Sequence, residues 1–401
     1  MRLYDHAPPS PQFLAPDDLS LYLHFPFCSK LCGYCDFHKD VFNRRKEELY
    51  FQALATDTEL AADEARALWG EELPPLVSVY MGGGTPSLVN PRLFSDWLTR
   101  TRALFRFGDD VEFTVEVNPE SATAEQLSFF RSVGVNRLSI GVQSFDRNAL
   151  ALLNRRHVLE DTHRAFYLAR AVGIENISAD IIFALPGQTL AKLQHDLVEL
   201  IALEPSHISF YQLTIKDNTP LARQVEDGIV TLADDDTQAR FYEAGRAFLA
   251  DRGYARYEVS SFAKGGQVSR HNRRYWTGYP YVALGPSAHG FDGRRRYEIV
   301  RDTQSYIDSL LTRRERPLVW DDFTPRRRMI EEILTGLRLT EGVDTTRFEK
   351  RWGASVATLF DHAEYHRLLE SGHVLVDHRS LRLSENSLAL ADEITLRLLA
   401  A

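Results

Sequence analysis

The sequence predicts an α/β fold: parallel strand–helix units over most of the chain, then a smaller α+β, winged-helix-like domain at the C-terminus. Three observations carry this. From Leu21 to about Gly253, short β-rich runs alternate with helical stretches, the sign of parallel βα units. Those β-rich runs alternate polar and apolar residues with the two-residue period of a strand. Past Asp302 the pattern turns helical and closes on two short β runs and a last helix. The expected divisions are a lead segment 1–20, a βα body 21–255, a connecting segment 256–300 and a C-terminal domain 301–401.

Six strands are expected, at Leu21–Phe25, Val77–Met81, Val111–Val117, Arg137–Val142, Ile177–Phe183 and His207–Leu213. Helical patterns follow them at Arg45–Ala67, Pro91–Phe105, Ala124–Val133, Asn148–Val172, Leu190–Leu203 and Asp235–Arg252, with Gly82-Gly83-Gly84 and Leu185-Pro186-Gly187 marking turns. Six units are too few for a closed eight-stranded barrel. In the third strand Val111, Phe113, Val115 and Val117 share one face, and Glu112, Thr114 and Glu116 the other. Polar partners recur at Tyr22 and His24, Ser78 and Tyr80, Ser139 and Gln143, Ser178 and Asp180, and His207, Ser209 and Tyr211. An antiparallel sheet with one wet face gives the same alternation, but the intervening helices argue against it. The apolar faces suit the surrounding helices, so the polar faces are expected to line a cavity. Tyr254–Phe262 reads as a further strand; Gln304–Arg313, Pro325–Leu337 and Val356–Ser371 read as helices, His373–Asp377 and Ser380–Leu383 as strands, and Leu388–Leu399 as a final helix.

At 401 residues the chain has room for two domains. Its net charge of −9, with no basic tract, excludes nucleic acid as an expected partner. No apolar run reaches the length of a membrane span, and Met1–Ser20 lacks the apolar core of a signal peptide. The expectation is a cytoplasmic, reduced protein.

All three cysteines lie in Cys28-Ser29-Lys30-Leu31-Cys32-Gly33-Tyr34-Cys35. Thiolates at this spacing can converge on one iron–sulfur centre. A four-iron cluster held by three cysteines keeps one iron open to a small molecule. A disulfide would leave one thiol over. A zinc site completed by His24 or His38 stays open on spacing alone, although common zinc spacings pair cysteines differently. Gly82-Gly83-Gly84-Thr85-Pro86, after the second strand, lets backbone approach a ligand, and its amides and carbonyls suit a zwitterion. A tight βα turn explains that run almost as well.

Taken together, the three-cysteine loop, the aromatic Tyr34 beside its last cysteine and the glycine run resemble the radical S-adenosylmethionine (SAM) enzymes. The flanks His24-Phe25-Pro26-Phe27 and Asp36-Phe37 resemble the HemN-like branch, which holds oxygen-independent coproporphyrinogen III oxidase and the HemW-type heme chaperones. That resemblance implies an open, partial (β/α)6 TIM-type barrel. It also implies a [4Fe-4S] cluster on Cys28, Cys32 and Cys35, with SAM on the open iron. Carried over residue by residue, it implies SAM contacts at Tyr22, Tyr34, Gly83, Gly84, Thr85, Glu116, Gln143, Arg155 and Asp180. Tyr22, Glu116, Gln143 and Asp180 also fall on the expected inner face.

The segment Arg270-His271-Asn272-Arg273-Arg274-Tyr275-Trp276 combines an imidazole able to ligate iron, arginines for propionates and flat aromatic surface. Aromatic packing under a barrel edge with solvated arginines is the plainer reading, but His271-Asn272-x-x-Tyr275-Trp276 resembles the branch's heme-linked motif. Two departures from the oxidase pattern point to the chaperone side: Phe37 stands where the oxidase carries a further cysteine, and Cys28 comes early in the chain. The resemblance therefore implies a heme chaperone that keeps its cluster and SAM, without coproporphyrinogen III oxidase activity. The oxidase itself, or a radical SAM heme-degrading enzyme, is the alternative. Implied partners are heme-accepting proteins and an electron donor protein. A membrane-associated recipient and a homodimer remain open.

Overall fold

The computed structural model describes residues 16–321 and 324–399; residues 1–15 of the expected lead segment lie outside them. The expected strands form as β1 (Leu19–Phe25), β2 (Leu76–Gly83), β3 (Phe107–Val117), β4 (Arg137–Gln143), β5 (Asn176–Phe183) and β6 (His207–Gln212). They pair in parallel, each with the next in sequence. The sheet then grows at both edges. An antiparallel hairpin, β7 (Ala255–Arg256) and β8 (Ser261–Ala263), adds to β6, while β9 (Val282–Leu284) adds in parallel to β1. The order is β9-β1-β2-β3-β4-β5-β6-β8-β7, a nine-stranded sheet that does not close. This is the open partial barrel that six βα units can make.

Helix starts are written locally. Asn43, Asn90, Thr123, Thr189, Thr219 and Asp234 each accept a backbone N–H of the first turn that follows, and Pro91 and Pro220 occupy first-turn positions. The apolar strand faces (Leu21 and Leu23, Val79 and Met81, Phe113 and Val115, Leu138 and Ile140, Ile208 and Phe210) are buried in one core with the helices. The stretch read as one helix over Asn148–Val172 is two, Arg147–Leu152 and Leu159–Ala171, separated by a turn with Asn154 at φ +56°. The helix Pro220–Glu226 was not expected.

The edge strand β9 is tied down by a buried ion pair. Asp57, on the helix Arg44–Trp69, accepts from Arg316 Nε at 2.7 Å, Tyr306 Oη at 2.8 Å and the Gly285 amide at 3.0 Å, while Arg316 also donates to the Ala283 carbonyl. Three hydrogen bonds on Asp57, one of them from its counter-charge, offset the usual desolvation penalty of a buried charge. The C-terminal part packs Pro325–Gly336, Thr345–Trp352, His362–Glu370 and Ala391–Leu398 around a second core that includes Ile333, Phe348, Leu381 and Ile394. A three-stranded antiparallel wing, with Ser380–Leu383 between Val343–Asp344 and Val374–Val376, completes it. The helix expected over Val356–Ser371 breaks at Phe360 and Asp361, and Asp361 caps its second half.

Candidate cluster and cofactor site

The polar faces meet across the sheet as the two-residue period requires. Register pairs Tyr22 with Tyr80, Tyr80 with Thr114, Glu116 with Ser139, Ser139 with Ser178, and Asp180 with Ser209. At the carboxyl ends of the strands these faces open into a cavity of about 420 Å³. Cys28, Cys32 and Cys35 all line it, with Tyr34, Gly83, Gly84, Thr85, Glu116, Gln143, Arg155 and Asp180. Other hollows are as large, but none of them carries a thiol.

The cysteine loop is held at three points. The Phe27–Cys28 backbone pairs in parallel with Asp40–Val41. The Gly33 amide donates to Leu153 O and the Leu221 amide donates to Gly33 O, so both unexpected features, the turn and the short helix, serve to clamp the loop. Asn154 Nδ2 donates to Leu31 O at 3.0 Å. Lys39 Nζ folds back onto the carbonyls of Cys35 and Phe37. Burial pushes the Cys28 thiol up to about 11, against a hydrogen bond from Thr85, and raises Cys35 as well. A metal that needs thiolates must therefore displace protons on binding.

The glycine run does something narrower than expected. Its amides are already committed: Gly83 N–H donates to Glu116 Oε2 at 3.1 Å, Gly84 N–H to Phe25 O at 2.7 Å, and Thr85 N–H to Phe27 O at 2.8 Å. The Gly84 and Thr85 amides fasten the approach to the cysteine loop onto the end of β2, and the Gly83 amide anchors Glu116, which leaves carbonyls for a ligand. Only glycine fits there. Gly83 has φ +111°, and a Cβ on Gly84 would stand 2.6 Å from the Phe27 carbonyl oxygen.

Around the wall, Tyr80 Oη donates to Glu116 Oε1 at 2.9 Å. Burial, then the nearby Asp180 charge, raises Glu116 to about 7 despite the bonds from Tyr80 and Gly83. Burial likewise raises Asp180, opposed by Ser209 and Ser139. Gln143, at φ +65°, accepts from Tyr211 Oη at 2.8 Å. Arg155 donates to Asn118 Oδ1 and Gly141 O, points Nη1 at Cys32 Sγ (3.8 Å), and keeps a buried Nε with no acceptor. The cavity thus offers three thiols, an orphaned guanidinium N–H and two half-buried carboxyls that enter no ion pair among the described residues. Those residues fit a cluster carrying a ligand with both cationic and anionic groups.

Two expected residues are not brought to the cavity. Tyr22 lies one layer below, stacked on Tyr80 at 6.1 Å and bonded to His24 Nδ1. His271 is fully buried farther down, stacked on Tyr80 at 5.1 Å, with Nδ1 at 2.9 Å from Ser78 Oγ and Nε2 at 3.1 Å from Tyr275 Oη. As folded, neither nitrogen is open to iron. Arg270 and Arg273 are paired with Asp110 and Glu341, and Arg274 with Asp18. His24 and His38, the alternative zinc ligands, are absent from the cavity wall: His24 Nε2 meets the His38 carbonyl and His38 Nε2 meets Thr303. Tyr80 and Asn118, the partners of Glu116 and Arg155, were visible in sequence only as inner-face or flanking residues. Replacing His271 by alanine strands Ser78 and Tyr275 and opens a cavity, so it is expected to cost about 2–4 kcal/mol in chemical unfolding while leaving the thiol loop intact.

Residues 22–200 match the family model described as the Radical SAM superfamily, and 323–390 match the HemN C-terminal domain. The fold is similar to that of coproporphyrinogen III oxidase (HemN) from Escherichia coli, with a TM-score of 0.81 over 96% of this chain and 91% of that one, at 23% identity. Fold and site together define a radical SAM protein with a HemN-type C-terminal domain, a class that implies a [4Fe-4S] cluster and SAM. The heme chaperone HemW of Bacillus subtilis is 33% identical over 94% of this chain and 97% of its own length. That of Haemophilus influenzae is 32% identical over 94% and 96%. The mitochondrial radical S-adenosyl methionine domain-containing protein 1 of Danio rerio is 34% identical over 94% and 86%. The chain belongs to the HemW-type family of HemN-like radical SAM proteins. Among the described residues no helix is long and apolar enough to cross a membrane.

Proposed function

We propose that this protein is a cytoplasmic heme chaperone that binds heme, keeps a SAM-ligated [4Fe-4S] cluster and passes heme to recipient proteins. The observation that carries the reading is the similarity to HemW heme chaperones along nearly the whole of both chains. Phe37 supports it: 62% exposed, it lines the cavity where the oxidase pattern has a further cysteine. In this reading Cys28, Cys32 and Cys35 hold the cluster. Glu116 and the carbonyls after β2 take the ligand's ammonium, Arg155 faces its carboxylate, and Asp180 and Gln143 accept from its hydroxyls. A cluster held there would supply one-electron reducing chemistry next to its open iron.

The test is an anaerobic assay of the reconstituted protein against coproporphyrinogen III and heme side by side. The expected outcome is saturable heme binding, transfer to an apo-acceptor and no protoporphyrinogen IX. Sustained product formation in proportion to SAM consumed would replace the chaperone with the oxidase. Heme ligation by His271 belongs to the same proposal and demands that the ring release Ser78 or Tyr275. An unchanged Soret band in His271→Ala would move the ligand elsewhere.

A further inference from the structure

A second hollow, of about 490 Å³, opens on the seam between the sheet and the C-terminal domain. The barrel side contributes Arg246, on the helix Asp235–Ala250, and Arg256, on β7. The C-terminal side contributes Arg382, on the wing strand Ser380–Leu383, beside Ser384 and Glu385. Among the described residues Arg256 and Arg382 enter no ion pair, and Arg246 does. Arg246 is served by Glu243 at 2.7 Å and Glu385 at 3.2 Å. Arg256 spends its terminal nitrogens on neutral oxygens, Tyr242 Oη and the Glu385 carbonyl, and its Nε is a buried N–H without an acceptor. Among the described residues, the Arg382 side chain has no hydrogen bond, ion pair or ring contact. Glu258 is the other acid near Arg256; burial raises it toward the protonated form, and Ser261 and the Ser260 amide already bond to it.

Two arginines without ion-pair partners lining one cavity favour an anion there, and their planar forks match the paired oxygens of a phosphate or carboxylate. We propose that this seam cavity is a binding site for a small oxyanion of the phosphate or carboxylate class, gripped by Arg256 from the barrel and Arg382 from the wing. Because the two arginines belong to different domains, the bound anion fastens the C-terminal domain to the sheet. It would do so independently of the thiol cavity.

The full-length protein, purified without phosphate, would be titrated with inorganic phosphate and, separately, succinate, each against sodium chloride at matched ionic strength. Calorimetry and thermal unfolding are the readouts. The expected result is a saturable heat and a dose-dependent rise in Tm with at least one of the two, and the one that acts identifies the source. Arg382→Ala is expected to weaken that binding about tenfold or more, the scale of a lost charge-assisted hydrogen bond. Arg256→Lys, which keeps charge but removes the fork, should weaken it similarly, with far-UV circular dichroism and cluster absorbance unchanged in both. A response no greater than that to sodium chloride overturns the proposal. So does wild-type affinity in either variant.

Discussion

Replacing any one of Cys28, Cys32 or Cys35 by serine is expected to cost the protein its iron–sulfur cluster. The three thiols line one cavity, and they are all the cysteines the chain has. The two histidines near the loop are not placed to substitute. His24 and His38 turn their Nε2 atoms to the His38 carbonyl and to Thr303. A serine hydroxyl is a poor replacement for a soft thiolate ligand. Iron, acid-labile sulfide and the brown absorbance should fall together after anaerobic reconstitution. The fold should survive, because the loop is held by backbone bonds from Gly33, Leu221 and Thr85 that serine does not disturb. Full cluster occupancy in all three variants, or stoichiometric zinc in its place, would refute the assignment.

What was legible in the sequence was the chemistry encoded at short range. Strand faces follow from a period of two, so Glu116 and Asp180 are legible as one wall, and the wall is there; Gln143 joins it through a register shift after Gly141 that the period does not foretell. The thiol spacing was equally local. What escaped were facts of long-range contact. Asn148–Val172 keeps an unbroken helical pattern, yet the chain turns at Asn154 because Leu153 and Asn154 must reach back to the cysteine loop. The amides of the glycine run looked free for a ligand and are consumed by Glu116, Phe25 and Phe27, none of which spacing can associate with them. His271 reads as an accessible ligand beside arginines. Its burial depends on Ser78 and Tyr80, nearly two hundred residues earlier in the chain, a pairing that no window of sequence contains. The Asp57–Arg316 pair was hidden for the same reason.

Glu116→Gln is expected to separate SAM affinity from stability, in opposite directions. In the protein without ligand, burial raises the Glu116 carboxyl from its ordinary 4.5 to about 7. A carboxyl raised on folding contributes stability below its unfolded value and loses that contribution as pH climbs through the folded one. Between about 4.5 and 7 the wild type should therefore lose stability with rising pH, by at most about 3 kcal/mol from this group, less whatever water in the cavity relieves. The glutamine variant lacks that slope. It gives back part of the gain, since Tyr80 and Gly83 donate to different carboxylate oxygens and the amide NH2 must face one of those donors, a loss of about 1–2 kcal/mol. SAM binding follows the reverse sign. A cationic ammonium needs the carboxylate, so below about 7 each bound SAM must expel a proton and wild-type affinity should fall with decreasing pH, levelling off above it. Removing the charge should weaken SAM binding about 10- to 100-fold at pH 8 and flatten its pH dependence. Equilibrium dialysis of SAM across pH 6–9 on the reconstituted protein, paired with denaturant unfolding from about pH 4 to 8, reads both effects. If the variant keeps the wild-type pH slope in either measurement, Glu116 is not the residue that titrates, and its assignment to the ammonium fails.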